Sequence, residues 1–142
     1  MKRIYVDMDD TLCDFMGPFR SGEFKIKYPQ SKVGFFLDLQ PLDYAIEGVK
    51  ELQKKSDVWI LTRPSIKNTH CYTEKAEWIK KYLGEDMLFK LILCPDKSLV
   101  KGDFLIDDDH RHGQPEFDGE WLHFGKDKFP NWKVVVDYLM SK

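Results

Sequence analysis

Ile4-Tyr5-Val6-Asp7-Met8-Asp9-Asp10-Thr11-Leu12 opens on a short apolar run and breaks into acids at Asp7. An apolar run without alternation reads as a strand buried on both faces of a parallel sheet, here with carboxylates at its C-terminal end. The pattern recurs along the chain. Val58-Trp59-Ile60-Leu61 ends at Thr62-Arg63-Pro64, Leu91-Ile92-Leu93-Cys94 at Pro95-Asp96-Lys97, Phe104-Leu105-Ile106 at Asp107-Asp108-Asp109, and Trp121-Leu122-His123-Phe124 at Gly125. Between these runs the apolar spacing is helical. Ile46, Val49 and Leu52 mark a helix over 44–55. Ala76, Ile79 and Leu83 mark another over 73–83, with Gly84 as its C-cap. Val134, Val135, Tyr138 and Leu139 mark a third over 131–140, with Asn131 as its N-cap. Strands alternating with helices predict an α/β fold, a parallel sheet flanked by helices in a single domain over 1–142. Ligands bind such sheets at the carboxyl ends of the strands. Asp7, Thr62, Lys97 and Asp107, distant in sequence, are therefore expected to meet in one crevice.

Residues 14–41 interrupt the alternation. They mix Gly17, Pro18, Gly22, Pro29, Gly34 and Pro41 with aromatic residues and read as a short insertion above the sheet or as a long ordered loop. Bulk properties narrow the function classes. A net charge of −2 leaves no broad basic surface for duplex nucleic acid. No apolar stretch approaches the roughly 20 residues of a membrane helix, and the first residues reach acid too soon for a signal peptide. The cysteines, Cys13, Cys71 and Cys94, are odd in number and form no Cys-x-x-Cys pair. That argues against a disulfide framework or a structural zinc site and predicts a reducing, cytoplasmic setting.

The acids at the strand ends carry the chemistry. Neighbouring carboxylates repel and are tolerated where a cation binds, and all-oxygen ligands favour Mg²⁺ or Ca²⁺. Asp7 and Asp9 form one such cluster and Asp107-Asp108-Asp109 a second. Phosphoryl transfer needs support for the phosphoryl oxygens and an in-line nucleophile. Thr62 can donate a hydroxyl hydrogen bond and Lys97 a compact positive charge. One carboxylate can attack to form an acyl-phosphate, and a second can protonate the leaving oxygen and then activate water.

Asp-x-Asp-x-Thr after an apolar strand, a strand ending in Thr, a Lys, and a strand ending in Asp-Asp follow one another as in the haloacid dehalogenase (HAD) superfamily. Asp7-Met8-Asp9-Asp10-Thr11, Ile60-Leu61-Thr62, Lys97 and Ile106-Asp107-Asp108 resemble its four motifs in order. Within it, the chain resembles the 5′(3′)-deoxyribonucleotidases, the cytosolic type C 5′-nucleotidase family. The likeness runs through Asp14-Phe15, Phe35–Leu42, Glu74-Lys75, Trp78–Gly84 and Asp96–Asp108. The resemblance implies a Rossmann-like, three-layer fold with a cap after the first strand, here the short segment 14–41. It implies an Mg²⁺-dependent phosphatase acting through an aspartyl-phosphate on (deoxy)nucleoside monophosphates. Asp7 would be nucleophile and metal ligand. Asp9 would be acid/base and lend its backbone carbonyl to the metal. Asp108, with Asp107 beside it, would complete the metal site. Thr62 and Lys97 would hold the phosphate, and Phe15 would wall the nucleoside pocket.

The chain departs from the family pattern at three places. Asp10 stands where Gly is usual and reads as a solvated turn residue. Arg63 follows Thr62 where Ser is usual, and either contacts phosphate or faces solvent. The cap is short, so Phe19, Phe24, Tyr28, Phe35 and Phe36 either replace the aromatic residues that hold the base or merely pack. A non-nucleotide ester such as a sugar phosphate is therefore an alternative substrate. A receiver-like phospho-acceptor domain has the acidic pair first and its acceptor on a middle strand, contrary to the order here, and a non-catalytic nucleotide binder has no need of all four motifs. His110-Arg111-His112 reads as a polar loop rather than a metal site, Cys13 as a small buried thiol, and Trp59 and Trp78 as packing residues.

Overall fold

The strand-end pattern is realised as a sheet of five parallel strands: β1 (Lys2–Val6), β2 (Ser56–Thr62), β3 (Leu91–Leu93), β4 (Phe104–Asp107) and β5 (Glu120–His123), in the order β3-β2-β1-β4-β5. The structure is a computed structural model and describes residues 1–20, 22 and 27–142. In register, Val6 lies beside Ile60 on one side and Ile106 on the other. The C-terminal ends of β1, β2 and β4 are therefore level. From β1 the chain winds outward through β2 and β3, returns to the far side of β1 as β4, and continues to β5. The winding direction reverses between β1 and β4, which is where open α/β sheets form their ligand crevice.

The helices are α1 (Gly17–Arg20), α2 (Ala45–Gln53), α3 (Cys71–Leu83) and α4 (Trp132–Met140). The caps read from the sequence are present. Asn131 accepts from the Val134 amide at 3.0 Å, and Gly84 ends α3 at φ 99°. Strand alternation divides the core. Ile4, Val6, Val58, Ile60 and Ile106 join Val49, Trp78 and Val135 from α2, α3 and α4. Tyr5, Leu61 and Leu105 point the other way, onto Phe117, Val100 and Trp121. On that face the connections 94–103 and 108–119 are too short for a long crossover helix. Tight 3₁₀ turns at Lys97–Leu99 and Gln114–Glu116 cover it instead. Trp78 is fully buried, and its indole donates to the Leu39 carbonyl at 2.8 Å. Trp59 is half-buried on the second face and bonds Asp57 at 2.9 Å.

Gly48 lets α2 approach α4, since a Cβ there would stand 2.8 Å from the Trp132 ring. Trp132 in turn donates to the Thr11 carbonyl at 2.7 Å, tying that helix pair to the turn after β1. The 14–41 segment leaves and re-enters the core at one point, where Asp14 N meets the Gln40 carbonyl and Leu42 N the Leu12 carbonyl, both at 2.8 Å. It docks on α3 through Glu74, whose carboxylate accepts from the amides of Gly34 (3.0 Å) and Phe36 (3.2 Å). Phe15, Phe19, Phe35 and Phe36 pack ring against ring within it, with adjacent centroids 5.1–6.1 Å apart. Phe24 lies outside the described residues. Among the described residues no helix is long and apolar enough to cross a membrane.

Candidate active site

The side chains expected to converge do so at the β1–β4 crevice. Asp7 follows the end of β1. One of its oxygens accepts from the Lys97 ammonium at 3.0 Å, and the other lies 3.3 Å from the Thr11 hydroxyl. Lys97 also donates to Asp107 at 2.6 Å and to the Leu61 carbonyl at 3.0 Å. An ammonium has three hydrogens, so all of them are engaged. Thr11 also reaches Asp108 at 3.2 Å, and its single hydroxyl proton serves one of the two acids at a time. Oxygens of Asp7, Asp107 and Asp108 all lie within 4.8 Å of one another. Asp107 is fully buried and fully bonded, to Lys97, to the Gln114 amide at 3.1 Å and to the Asp109 amide at 2.9 Å. Asp108 is half-buried, and its carboxylate meets only the Thr11 hydroxyl and, across a shared hydrogen bond, the Asp7 carboxylate among the described residues. It is the freer carboxylate of the pair.

A second cation, Lys75 on α3, organises the other half of the site. It is completely buried and bonds Asp9 at 3.1 Å, the Thr62 hydroxyl at 2.6 Å and the Arg63 carbonyl at 2.7 Å. Thr62 therefore accepts from Lys75 and keeps its own hydrogen to donate. Asp10 adopts the left-handed region at φ 60° and accepts from the amides of Phe15 (3.0 Å) and Met16 (3.1 Å). It is thus a turn residue as expected, but its carboxylate clamps the entry to the 14–41 segment rather than standing in solvent.

Desolvation and mutual repulsion raise the acids. Burial, then the charge of Asp7, pushes Asp107 up to about 7 against the opposing pull of Lys97. Burial, Asp7 and Asp107 push Asp108 up to about 9. Burial also lifts Asp9 above the usual carboxylate range, although Lys75 pulls it back. For Lys97, burial disfavours the charge, but Asp7 and Asp107 outweigh it and hold the ammonium firmly protonated. Three carboxylates facing one lysine leave surplus negative charge, and the donors are all hard oxygens. That set suits a small divalent cation such as Mg²⁺. Unfolded carboxyls release their protons near 4. Without metal, the folded state therefore binds more protons than the unfolded state from about pH 4 up to the raised values, and stability falls as pH rises. The melting temperature of the EDTA-treated protein should drop between about pH 6 and about pH 9. Added Mg²⁺ should raise it more at about pH 8 than at about pH 6. A melting temperature that climbs with pH in EDTA would contradict this charge arrangement.

Above the acids opens a cleft of about 360 Å³. Asp7, Asp9 and Asp108 line it with Arg63, Phe15 and Tyr28. The 14–41 segment meets the 63–68 loop there, with the Lys67 ammonium 4.6 Å from the Tyr28 ring centre. The family model for "5′ nucleotidase, deoxy (Pyrimidine), cytosolic type C protein" matches residues 20–128. A putative 5′(3′)-deoxyribonucleotidase of Vibrio phage KVP40 is 36% identical over 145 residues, spanning 98% of this chain and 85% of the phage protein. The human cytosolic 5′(3′)-deoxyribonucleotidase is 34% identical over 157 residues (85% and 77% of the two chains). The human mitochondrial one is 31% identical over 170 residues (94% and 69%). The chain belongs to the cytosolic type C 5′-nucleotidase family.

Members of this family are phosphoric monoester hydrolases of the HAD superfamily, and the fold and enzyme class expected from the sequence are those of the family. Of the residues singled out for the nucleotidase site, Asp7, Asp9, Phe15, Arg63, Asp107 and Asp108 line the cleft. Thr62 and Lys97, 0% and 1% exposed, lie directly beneath it. Of the aromatic candidates, Tyr28 and Phe36 join Phe15 at the cleft, whereas Phe19 and Phe35 pack within the inserted segment. Arg63 forms no ion pair among the described residues and approaches His112 at 3.4 Å. His110 is exposed, and neither histidine joins a metal-binding group among the described residues. Cys13 is wholly buried, and burial pushes its thiol well above its ordinary range. Sequence pattern does not mark Lys75 or Gln114 as site residues. Each is one polar residue in a local pattern that names no partner, the first on an amphipathic helix and the second in a Gly-Gln-Pro turn. Gly113 makes that turn possible at φ 88°, where a Cβ would collide with Asp96.

Proposed function

We propose that this nucleotidase is an Mg²⁺-dependent phosphomonoesterase that acts through an aspartyl-phosphate on (deoxy)nucleoside monophosphates. The observation that carries the reading is the meeting of Asp7, Asp107 and Asp108 within 4.8 Å at the floor of an aromatic-walled cleft. Mg²⁺, held by Asp7, Asp108 and the Asp9 carbonyl with Asp107 alongside, would neutralise charge on the phosphoryl oxygens. Asp7 attacks phosphorus as the nucleophile. Its position is set by Lys97 on one oxygen and Thr11 on the other. Asp9 protonates the leaving oxygen, a role favoured by its raised affinity for a proton. It then removes a proton from the water that cleaves the acyl-phosphate. Thr62 donates to a phosphoryl oxygen because Lys75 occupies its acceptor side. Lys97 supplies positive charge from beneath Asp7, and Arg63 supplies it from the rim.

Residues 14–41 act as the cap in this reading. Phe15, Tyr28 and Phe36 offer ring faces to a base, and base stacking on aromatic side chains is worth about 1–3 kcal/mol. The similarity to 5′(3′)-deoxyribonucleotidases supports a deoxynucleotide substrate. Free cysteines throughout suit a cytoplasmic setting. The deciding experiment is phosphate release from a panel of deoxynucleotides, ribonucleotides and sugar phosphates, with Mg²⁺ and with EDTA. Hydrolysis of deoxynucleotides that EDTA abolishes is expected. Hydrolysis of sugar phosphates alone would overturn the nucleotide reading, and indifference to EDTA would overturn the metal role.

A further inference from the structure

Successive side chains of a strand point to opposite faces. Asp107 is the last residue of β4, yet its carboxylate and that of Asp108 both come within 4.8 Å of Asp7. The backbone must therefore leave the extended conformation at this point and be held in the new one. The holding groups come from β5 and the residue that follows it. The Asp107 carbonyl accepts from the Phe124 amide at 3.0 Å and from the Trp121 indole N–H at 3.0 Å. The Asp108 carbonyl pairs with His123 Nε2 at 2.9 Å, its one hydrogen-bond partner among the described residues. A carbonyl only accepts, so His123 carries its proton on Nε2. The two rings stack, with centroids 4.4 Å apart and planes inclined by 28°, and neither can turn away without disturbing the other.

We infer that Trp121 and His123 are positioning residues. They grip the Asp107 and Asp108 carbonyls so that the Asp108 carboxylate faces Asp7 before the cation arrives. The inference rests on the Mg²⁺ reading given above. Neither residue lines the cleft, so neither touches substrate. Their effect would pass through the geometry of Asp108 to metal affinity. Groups that orient metal ligands from behind typically alter affinity about tenfold to a hundredfold when removed.

The test is Mg²⁺ binding by isothermal titration calorimetry, with melting temperature recorded alongside. His123→Phe keeps the stacked ring and removes the donor, and should raise the Mg²⁺ Kd by about tenfold or more. His123→Gln, which restores an N–H, should recover most of the affinity. Trp121→Phe should weaken Mg²⁺ in the same direction, and it carries the test if His123→Phe does not fold. A folded His123→Phe protein that binds Mg²⁺ as tightly as wild type would overturn the inference alone. So would equal Kd values for the Phe and Gln variants, because packing rather than the donor would then be at work. Wild-type protein that takes up no Mg²⁺ would overturn the metal reading and this inference with it.

Discussion

Asp7→Asn is expected to lower phosphate release by about a thousandfold or more, the scale on which loss of a nucleophile is usually felt, without loss of the fold. The metal-free variant should melt at or above the wild-type temperature. The reason lies in the charges around it. Asp7 is the second-largest contributor, after burial, to the raised proton affinity of both Asp107 and Asp108. Neutralising it relieves that repulsion. The Asn amide can turn its oxygen to Lys97, replacing the 3.0 Å contact, and its N–H₂ toward Thr11 and Asp108. Activity and stability should thus move in opposite directions, a separation that a merely disrupted fold cannot produce. Turnover near wild type in this variant would remove Asp7 from the mechanism. Single-turnover assays and thermal melts in EDTA read the two effects independently.

Lys97→Met is expected to be the most damaging single change to stability. Its ammonium is 1% exposed, and it neutralises Asp107, equally buried, and Asp7. Removing one partner of a buried ion pair typically costs about 3–5 kcal/mol, because the remaining charge is left uncompensated. The loss should depend on pH. Without the lysine Asp107 holds its proton to still higher pH, so the folded state is penalised most where unfolded carboxyls are ionised and this one is forced to be. Urea denaturation should show a larger deficit at about pH 8 than at about pH 6. Adding Asp107→Asn to Lys97→Met should recover part of it. Equal stability of wild type and Lys97→Met at both pH values would mean that the cluster is not charged as described.

The two predictions differ in how much of their basis can be read along the chain. The apolar runs around Val6, Leu61 and Ile106 announce buried parallel strands, because a strand covered on both faces cannot alternate polar with apolar residues. Acids and a threonine at their ends stand out for the same reason. Helix limits at Asn131 and Gly84 are local as well, since capping uses groups within a few residues. The packing of the second sheet face is less legible. Its 3₁₀ turns at Lys97–Leu99 and Gln114–Glu116 are set by short connections, which apolar periodicity does not mark.

The kind of fold, the strand ends that bear chemistry and the residue types gathered there are legible along the chain. These follow from local pattern, from burial of consecutive apolar residues and from motif order. How the charges are partnered emerges from the folded arrangement alone. Lys75, separated from Asp9 by the whole of α2 and β2, proves to be its ion-pair partner at 3.1 Å. Gln114 joins Lys97 and the Asp109 amide in fixing Asp107, and β5 is the element that grips the backbone behind Asp108. Which of Asp107 and Asp108 is free to meet a cation also rests on these contacts. A hydrogen bond depends on angles and on distances of about 3 Å between groups far apart in the chain, and no local pattern carries that information.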